Sequence, residues 1–320
     1  MSEVAEQLLL TTSRAGLRVA VLLPCYNEQE AIGKVVRDFR QALPEAIVYV
    51  YDNNSRDETR ARAAAAGAVV RSETQQGKGF VVRRMFADVE ADVYVLVDGD
   101  DTYHAPSAPL LVERLLAEQL DMVVGRRVTE IEQAYRPGHR LGNRLLTGVV
   151  ARVFGDRFKD ILSGYRVFSR RFVKSFPALT KEFEIETELT VHALELDMPI
   201  AEVDTPYKDR PAGSVSKLRT YRDGVRILTT ILVLFKEERP LAFFGFAGLA
   251  LALLALGLGY PVLTEYLRTG LVPRFPTAIL ATGLMTLAFL SFTSGLVLET
   301  VTRGRKELKR LAYLTIPGPR

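Results

Sequence analysis

The chain has 320 residues, a formal net charge of +4 at pH 7 and a single cysteine, Cys25. This length allows one large domain with an addition, or two domains. One cysteine excludes an internal disulfide framework and is typical of a reducing compartment. Residues 1–17 are expected to be a flexible N-terminus rather than a signal peptide, because the short Leu8–Leu10 core follows acidic residues instead of basic ones.

Strands and helices are predicted to alternate from Arg18 to about Ile200. Such alternation favours an α/β fold with a mostly parallel sheet and helices on both faces. We assign this domain to residues 18–216. Its predicted strands are Val19–Pro24, Ile47–Tyr51, Val69–Arg71, Val93–Val97 and Met122–Val124, and its predicted helices include Glu30–Ala42 and Arg56–Ala66.

A basic amphipathic helix is predicted over residues 217–239. Its apolar residues recur at steps of three and four from Leu218 to Phe235, while basic side chains lie off that stripe. A helix of this kind beside a membrane span suits the lipid interface, with its bases near anionic head groups. Packing on the α/β domain is an equally open interpretation, and both can hold for different turns.

Two uncharged apolar segments follow within residues 240–300, at Leu241–Leu263 and Phe275–Leu298. Each is long enough to cross a bilayer as a helix. Basic residues are concentrated before the first segment and in a basic tail at residues 301–320, whereas the connecting loop offers only Arg268 and Arg274. The positive-inside rule therefore predicts a two-span protein of the cytoplasmic (inner) membrane, with its α/β domain and both termini in the cytosol.

The strand predicted at Val93–Val97 ends in the acidic run Asp98-Gly99-Asp100-Asp101. Three acids this close repel one another, so folding alone gives little reason to place them there. Carboxylates suit Mg²⁺ or Mn²⁺, and such ions usually sit between one or two carboxylates and substrate phosphates. The carboxyl end of a strand in an open α/β sheet is also where ligands bind. A solvated acidic turn is the alternative, since Asp and Gly are common in turns.

Polar residues also follow the first two predicted strands, in the segments 24–28 (PCYNE) and 52–55 (DNNS). An Asp at such a position can accept hydrogen bonds from a ribose or a base. The glycine fingerprint of dinucleotide folds does not follow the first strand, and Gly77-Lys78-Gly79 lacks the spacing and the Ser/Thr of a P-loop. A nicotinamide-dependent enzyme and a P-loop nucleotidase are therefore poor fits.

These motifs in this order resemble family 2 glycosyltransferases, the nucleotide-sugar enzymes with a GT-A fold. Three later motifs narrow the resemblance to the polyprenyl-phosphate glycosyltransferases, the group of dolichol-phosphate mannose synthase and GtrB-type enzymes. They are DILSGYR at 160–166, FEIETE at 183–188 and YKDRPAGSVSKL at 207–218. The resemblance covers about residues 18–240, and the two-span tail is similar to the GtrB-type arrangement.

The resemblance implies that Asp98 and Asp100 hold Mg²⁺ or Mn²⁺ on the diphosphate of a sugar nucleotide. The ion would make the nucleoside diphosphate a better leaving group. Asp101 is either a third ligand, directly or through water, or only an acidic neighbour. The implied nucleotide-sugar site comprises Pro24, Tyr26, Glu28, Asp52, Lys78, Asp98, Arg210 and Lys217.

Arg210 and Lys217 would reach the diphosphate from a loop and supply positive charge where negative charge develops. Lys217 has a competing interpretation as a basic residue of the membrane surface. His104, His139 and His192 stand at no metal-ligand spacing and are interpreted as structural or supporting residues.

A polyprenyl phosphate acceptor needs no general base, because its oxygens are already anionic near neutral pH. It needs positive charge that holds it in line with the sugar, and the planar fork of arginine binds phosphate at two points. The resemblance places Arg127 and Arg140 nearest to this role, and Asp100, Arg127 and Arg210 are the predicted catalytic residues. The full predicted acceptor-phosphate set is Arg126, Arg127, Arg140, Arg144 and Ser163.

The implied reaction is inverting transfer of a hexose from a UDP- or GDP-linked sugar to undecaprenyl or dolichyl phosphate at the cytoplasmic membrane face. The product would be a lipid-linked sugar donor for glycan or lipid modification. The expected partners are the nucleotide sugar, the polyprenyl phosphate and the membrane. No nucleic acid is expected, and a homo-oligomer is compatible with the resemblance.

Two other functions are considered. A processive polysaccharide synthase of the cellulose or hyaluronan type carries a Q-x-x-R-W motif, whereas this chain contains no tryptophan. Two spans are also few for a polymer channel. A non-catalytic membrane scaffold with a GT-A fold would have no need of Asp98, Asp100, Arg127 and Arg210.

Overall fold

The computed structural model describes residues 16–128, 159–177, 185–208 and 235–319, together with Gly148, Thr229, Leu232 and Val233. The chain divides into two compact units, one of Met1–Gly224 with Lys309–Arg320 and one of Val225–Leu308. The first contains the α/β domain, and the second contains the long apolar helices. Most of the predicted amphipathic helix at 217–239 lies outside the described residues.

A seven-stranded mixed sheet forms the centre of the first unit, in the order β3-β2-β1-β4-β6-β5-β7. Strand β6 runs antiparallel to both of its neighbours, and the other six strands run parallel. The mostly parallel α/β fold predicted from the sequence is thus confirmed. The strands are β1 Val19–Cys25, β2 Ile47–Asp52, β3 Val69–Ser72, β4 Val93–Leu96, β5 Met122–Val128, β6 Arg166–Ser169 and β7 Ile200–Pro206.

Helices connect the strands and cover the sheet. The first helix, α1, has Ile32, Val35, Val36 and Phe39 buried at helical spacing, which gives it one apolar face for the sheet. The central strands β1 and β4 are buried along nearly their whole length, as expected for parallel strands between two helical layers. The helices are α1 Ile32–Ala42, α2 Thr59–Ala65, α3 Lys78–Asp88, α4 Ala108–Ala117, α5 Arg170–Ser175 and α6 Ile185–Glu195.

Two helices are long and apolar enough to cross a membrane, α7 Pro240–Thr269 and α8 Phe275–Leu314. The second unit contains α7 and α8 up to Leu308, and the last turns of α8 belong to the first unit. The two helices pack through small residues, as membrane helices commonly do. A Cβ on Gly248 would lie 3.0 Å from the Ala288 carbonyl oxygen, and one on Gly295 would lie 3.2 Å from Phe244 Cβ. The second helix extends well beyond its predicted end at Leu298, so most of the predicted basic tail is helical.

A buried acidic residue lies at the amino edge of the sheet, opposite the carboxyl edge that carries the acidic run. Asp121 directly precedes β5 and is fully buried. Its Oδ1 accepts hydrogen bonds from Ser169 Oγ at 2.7 Å and Arg171 Nε at 3.0 Å. Its Oδ2 accepts from an Arg171 terminal nitrogen at 2.7 Å and from the Tyr313 hydroxyl at 2.8 Å. Both oxygens of this carboxylate are therefore satisfied by the chain's own donors.

Candidate active site

The predicted carboxylates meet at the carboxyl edge of the sheet. Strands β2, β1 and β4 are parallel neighbours, with Cys25 paired to Asp52 and Leu22 paired to Leu96. Burial raises the pKa of the Cys25 thiol. Negative charge on four nearby acids raises it further, namely Glu28, Asp52, Asp98 and Asp100. Parallel pairing therefore gathers acids from three separate strand ends around one buried thiol.

Lys78 is the cation nearest to the first acid of the run. Its Nζ donates to Asp98 Oδ1 and to Glu186 Oε1, each at 2.5 Å. Burial acts to lower the pKa of Lys78, but the charges of Asp98 and Glu186 outweigh it and raise that pKa above its usual value. The ammonium is therefore fully charged at neutral pH. Lys78 is the first residue of α3. This residue, which the sequence predicts to bind the sugar nucleotide, lies beside the acidic run.

The other two acids of the run have different surroundings. Asp100 is buried, and its Oδ1 accepts hydrogen bonds from the Thr102 hydroxyl at 2.6 Å and the Thr102 amide at 3.3 Å. Asp101 has a left-handed φ of 59° and accepts from Lys34 Nζ at 3.0 Å and Lys208 Nζ at 2.8 Å. Two ammonium groups therefore share one oxygen of Asp101, as Lys78 contacts one oxygen of Asp98.

Two glycines allow the acidic run to pack closely. A Cβ on Gly99 would lie 2.5 Å from Cys25 Sγ, and a Cβ on Gly164 would lie 2.6 Å from Asp98 Oδ2. These separations are far below a normal van der Waals contact, so a side chain at either position would displace its neighbour. The loop that contains Gly164 therefore forms one wall beside Asp98.

The predicted nucleotide side is organised by loops after β1 and β2. Pro24 and Tyr26 are partly exposed, whereas Glu28 and Asp52 are buried. The Asp52 carboxylate accepts a hydrogen bond from the Ser55 amide at 3.2 Å, which shapes the turn after β2.

Asn53 connects the turn after β2 to the segment that carries Lys78. Its Oδ1 accepts from the Gly77 amide at 2.8 Å, and its Nδ2 donates to the Gln75 carbonyl oxygen at 2.7 Å. Sequence reasoning assigned no individual role to Asn53, although it lies within the DNNS motif.

The predicted acceptor arginines that the structure describes lie on β5. Arg127 forms a two-point ion pair with Asp160, with nitrogen–oxygen distances of 2.8 and 2.7 Å, and its guanidinium lies 5.5 Å from the Tyr207 ring centroid. Burial raises the pKa of Asp160, but Arg127 outweighs this and holds the pKa below its usual value. Arg126 pairs with the exposed Asp204. Asp160 therefore fixes the orientation of the Arg127 guanidinium.

The loop between Asp160 and β6 is held by buried polar contacts. Ser163 is fully buried, and its hydroxyl donates to the Gly125 carbonyl oxygen at 2.6 Å, which fixes the loop to β5. Arg166 is also fully buried and donates to the carbonyl oxygens of Ile161 and Ser163. Burial lowers the pKa of Arg166 to about 10. Sequence reasoning missed this residue, since a buried arginine inside an apolar strand has no distinctive pattern.

Four other predicted site residues, Arg140, Arg144, Arg210 and Lys217, lie outside the described residues. In the parts of the chain that are described, no group of three or more His, Cys, Asp or Glu side chains is arranged to hold a metal ion. The donor chemistry nevertheless fits Mg²⁺ or Mn²⁺, because such ions are commonly bound by one or two carboxylates together with substrate phosphates. Asp98 and Asp100 would supply that pair.

The chain belongs to glycosyltransferase family 2. The family model "Glycosyl transferase family 2" matches residues 20–176, which contain the acidic run and the arginines of β5. The chain is also 33% identical to glycosyltransferase AglJ of Haloferax volcanii over 305 residues, which cover 92% of this chain and 98% of AglJ. Its α/β domain has the GT-A fold of family 2 enzymes.

Two further similarities concern substrates. The chain is 29% identical to a dolichyl-phosphate hexose transferase of Haloferax volcanii, over 69% of this chain and 95% of that protein. It also resembles the crystal structure of glucosyl-3-phosphoglycerate synthase from Mycobacterium tuberculosis in complex with Mn²⁺, UDP-glucose and phosphoglyceric acid. That match has a TM-score of 0.57 and 25% identity, and it covers 70% of this chain and 81% of the other.

Proposed function

We propose that this enzyme transfers a hexose from a nucleotide sugar to a polyprenyl phosphate, with inversion at the anomeric carbon and with a divalent metal ion. The observation that carries the proposal is the pairing of two kinds of charge at one sheet edge. Asp98 and Asp100 supply hard anionic ligands, and Arg127 is an oriented guanidinium from the neighbouring part of the sheet. The carboxylates suit a metal-bound diphosphate, and the guanidinium suits the lipid phosphate.

Several similarities support the donor and the acceptor. A nucleotide sugar with Mn²⁺ occupies the structural relative described above, and a dolichyl phosphate is the lipid named for one sequence relative. Two helices of membrane-spanning length and composition in the same chain are consistent with a lipid acceptor. We propose that these helices form a transmembrane hairpin with the α/β domain on the cytosolic side.

In the proposed reaction, a phosphate oxygen of the lipid attacks the anomeric carbon from the face opposite the nucleotide. The new carbon–oxygen bond forms as the bond to the diphosphate breaks, and the electron pair leaves with the nucleoside diphosphate. Asp98 and Asp100 would hold the metal ion, which when bound would supply positive charge that stabilises this leaving group. Arg127 holds the lipid phosphate, and no general base is required because the attacking oxygen carries no proton.

The remaining predicted residues complete the proposal, and four of them lie outside the described ranges. Arg140 and Arg144 are proposed to share the acceptor phosphate with Arg127. Arg210 and Lys217 are proposed to bind the donor diphosphate. Asp52, Glu28, Tyr26 and Pro24 are proposed to surround the nucleoside, since they lie on the turns next to the acidic run.

The test uses the full-length protein in lipid nanodiscs with undecaprenyl phosphate and a panel of UDP- and GDP-hexoses. Mass spectrometry should show one hexose added per lipid phosphate with Mn²⁺ or Mg²⁺, and no product when the metal is chelated. Undecaprenol is the matched control and should not react, because the chain offers its hydroxyl no assigned base. Long hexose chains would indicate a processive synthase, and absence of product with every donor would contradict the proposal.

A further inference from the structure

Lys78 is fixed between carboxylates that come from two different elements. Its Nζ lies 2.5 Å from Asp98 Oδ1 and 2.5 Å from Glu186 Oε1. The Lys78 and Glu186 side chains are only 12% and 10% exposed. Lys78 begins α3 and Glu186 lies in the first turn of α6, so the backbone of two helices holds this cation in place.

Asp98 cannot bind a divalent cation through Oδ1 while Lys78 remains in contact with that oxygen. Its Oδ1 accepts from Lys78, and its Oδ2 packs against the backbone at Gly164. A metal ion about 2.1 Å from a carboxylate oxygen would stand very close to the ammonium, and like charges at that separation repel strongly. Binding of the metal by Asp98 therefore requires Lys78 to move away from it.

Glu186 makes that movement possible. A buried ammonium that lost its only partner would be strongly destabilised, but Lys78 can leave Asp98 and still keep an ion pair. We infer, on the basis of the proposed function, that Glu186 is a positioning residue that retains Lys78 while Asp98 turns to the divalent cation. The retained ammonium then faces the donor diphosphate.

This exchange links the metal to the donor. The metal ion alone adds two positive charges beside an ammonium group, whereas a metal ion with a diphosphate adds negative charge that both cations can approach. The site therefore favours the metal and the nucleotide together over the metal alone. The role of Glu186 is to keep the cost of displacing Lys78 low.

The experiment measures Mn²⁺ binding without nucleotide, from the electron paramagnetic resonance signal of free Mn²⁺, in the full-length protein in detergent. Lys78→Gln should bind Mn²⁺ roughly tenfold more tightly than the wild type, because the competing ammonium is removed. Glu186→Gln should bind it roughly tenfold more weakly, because Lys78 then keeps Asp98 as its one carboxylate partner among the described residues. Lys34→Gln, which removes an ammonium from the neighbouring Asp101, is the matched control and should change the affinity less than about threefold.

The double variant decides whether Glu186 acts through Lys78. If it does, Glu186→Gln should weaken Mn²⁺ binding by no more than about threefold in the Lys78→Gln background. Equal effects in both backgrounds would overturn the inference, as would an unchanged affinity in Glu186→Gln alone. Thermal unfolding shows whether Lys78→Gln folds. If it does not, the comparison of Glu186→Gln with the wild type still tests the inference. No sugar is present, so a wild type that fails to transfer hexose would contradict the proposed function without deciding this result.

Discussion

Acidic side chains stand at opposite edges of the same sheet, and they are satisfied in different ways. Asp121 at the amino edge receives donors on both oxygens from Ser169, Arg171 and Tyr313. At the carboxyl edge, Asp98 and Glu186 share the ammonium of Lys78, whereas Asp100 accepts hydrogen bonds from Thr102. The Asp121 carboxylate has a donor on each oxygen, whereas at the carboxyl edge one ammonium is shared by two carboxylates of the described residues.

The difference separates a structural acid from a ligand-binding one. A buried carboxylate with every oxygen satisfied stabilises the fold, and removal of a partner exposes the cost of its burial. A group of acids with excess negative charge favours a cation from outside the chain. Substitutions at the two edges should therefore affect different properties of the enzyme.

The largest effect is expected at the carboxyl edge. Asp100→Ala should lower the rate of sugar transfer by about 10³-fold or more, since the metal loses a ligand that stabilises the leaving group. Its thermal unfolding temperature should be equal to or above that of the wild type, because repulsion between the acids is reduced. Initial rates and thermal unfolding measured on the same preparation test this, and near-normal activity would contradict the metal assignment.

The opposite pattern is expected at the amino edge. Asp121→Ala should lower the free energy of unfolding of the α/β unit by about 3–5 kcal/mol, because a buried ion pair is broken. Tyr313→Phe, which removes one of the four hydrogen bonds to Asp121, should lower it by only about 1 kcal/mol. Denaturant titration followed by circular dichroism measures both. A loss of transfer activity in fully folded Asp121→Ala would mean that the two edges are not separate in function.

A smaller effect is expected for the acceptor side. Arg127→Lys keeps the charge but loses the two-point fork, so the KM for lipid phosphate should rise about tenfold with little change for the nucleotide sugar. Arg114→Lys is the matched control, since Arg114 lies on α4 and is paired with the exposed Glu118, and its KM should stay within about threefold. Steady-state kinetics with each substrate varied in turn distinguishes the two outcomes.

The smallest effect concerns pH and again belongs to the structural side. Burial, with a contribution from Lys309, lowers the pKa of His192 to about 3. The unfolded chain binds a proton on this histidine near pH 6.5, whereas the folded chain does so only near pH 3, so stability falls as pH decreases between these values.

Between pH 7.5 and 5.5 the loss from His192 should be about 1 kcal/mol. His192→Gln should show a weaker decline in unfolding free energy over this range, and the exposed His104→Gln should decline like the wild type. Parallel curves for all three proteins would contradict the buried neutral state of His192.

Much of the fold could be predicted because it depends on local patterns. All five predicted strands and both predicted helices of the α/β domain are present, with ends that differ by a few residues. Strand β6 was not predicted, because it is short, carries the buried Arg166, and is stabilised mainly by antiparallel pairing with β4 and β5. The extension of α8 to Leu314 was also missed, since a charged helical segment after an apolar span resembles a basic tail.

The candidate site divides in the same way. The acidic run, the arginines of β5 and the apolar spans were visible in the sequence, because each is a contiguous cluster of one chemical character. Glu186 contacts Lys78 directly, but it lies 108 positions away along the chain. The sequence alone therefore assigned it no role. The FEIETE motif at 183–188 contains Glu186, but the motif does not show which cation this acid contacts.

The sequence by itself determined that this protein has an acidic strand end, an α/β domain and two helices of membrane-spanning length, since composition and periodicity act over a few neighbouring residues. Only the tertiary structure decided which cation faces which carboxylate. That choice depends on the order of strands in the sheet, on the helices that carry Lys78 and Glu186, and on the loop that carries Asp160. Opposite charges in a buried site interact through a few ångströms of space, whatever their separation along the chain.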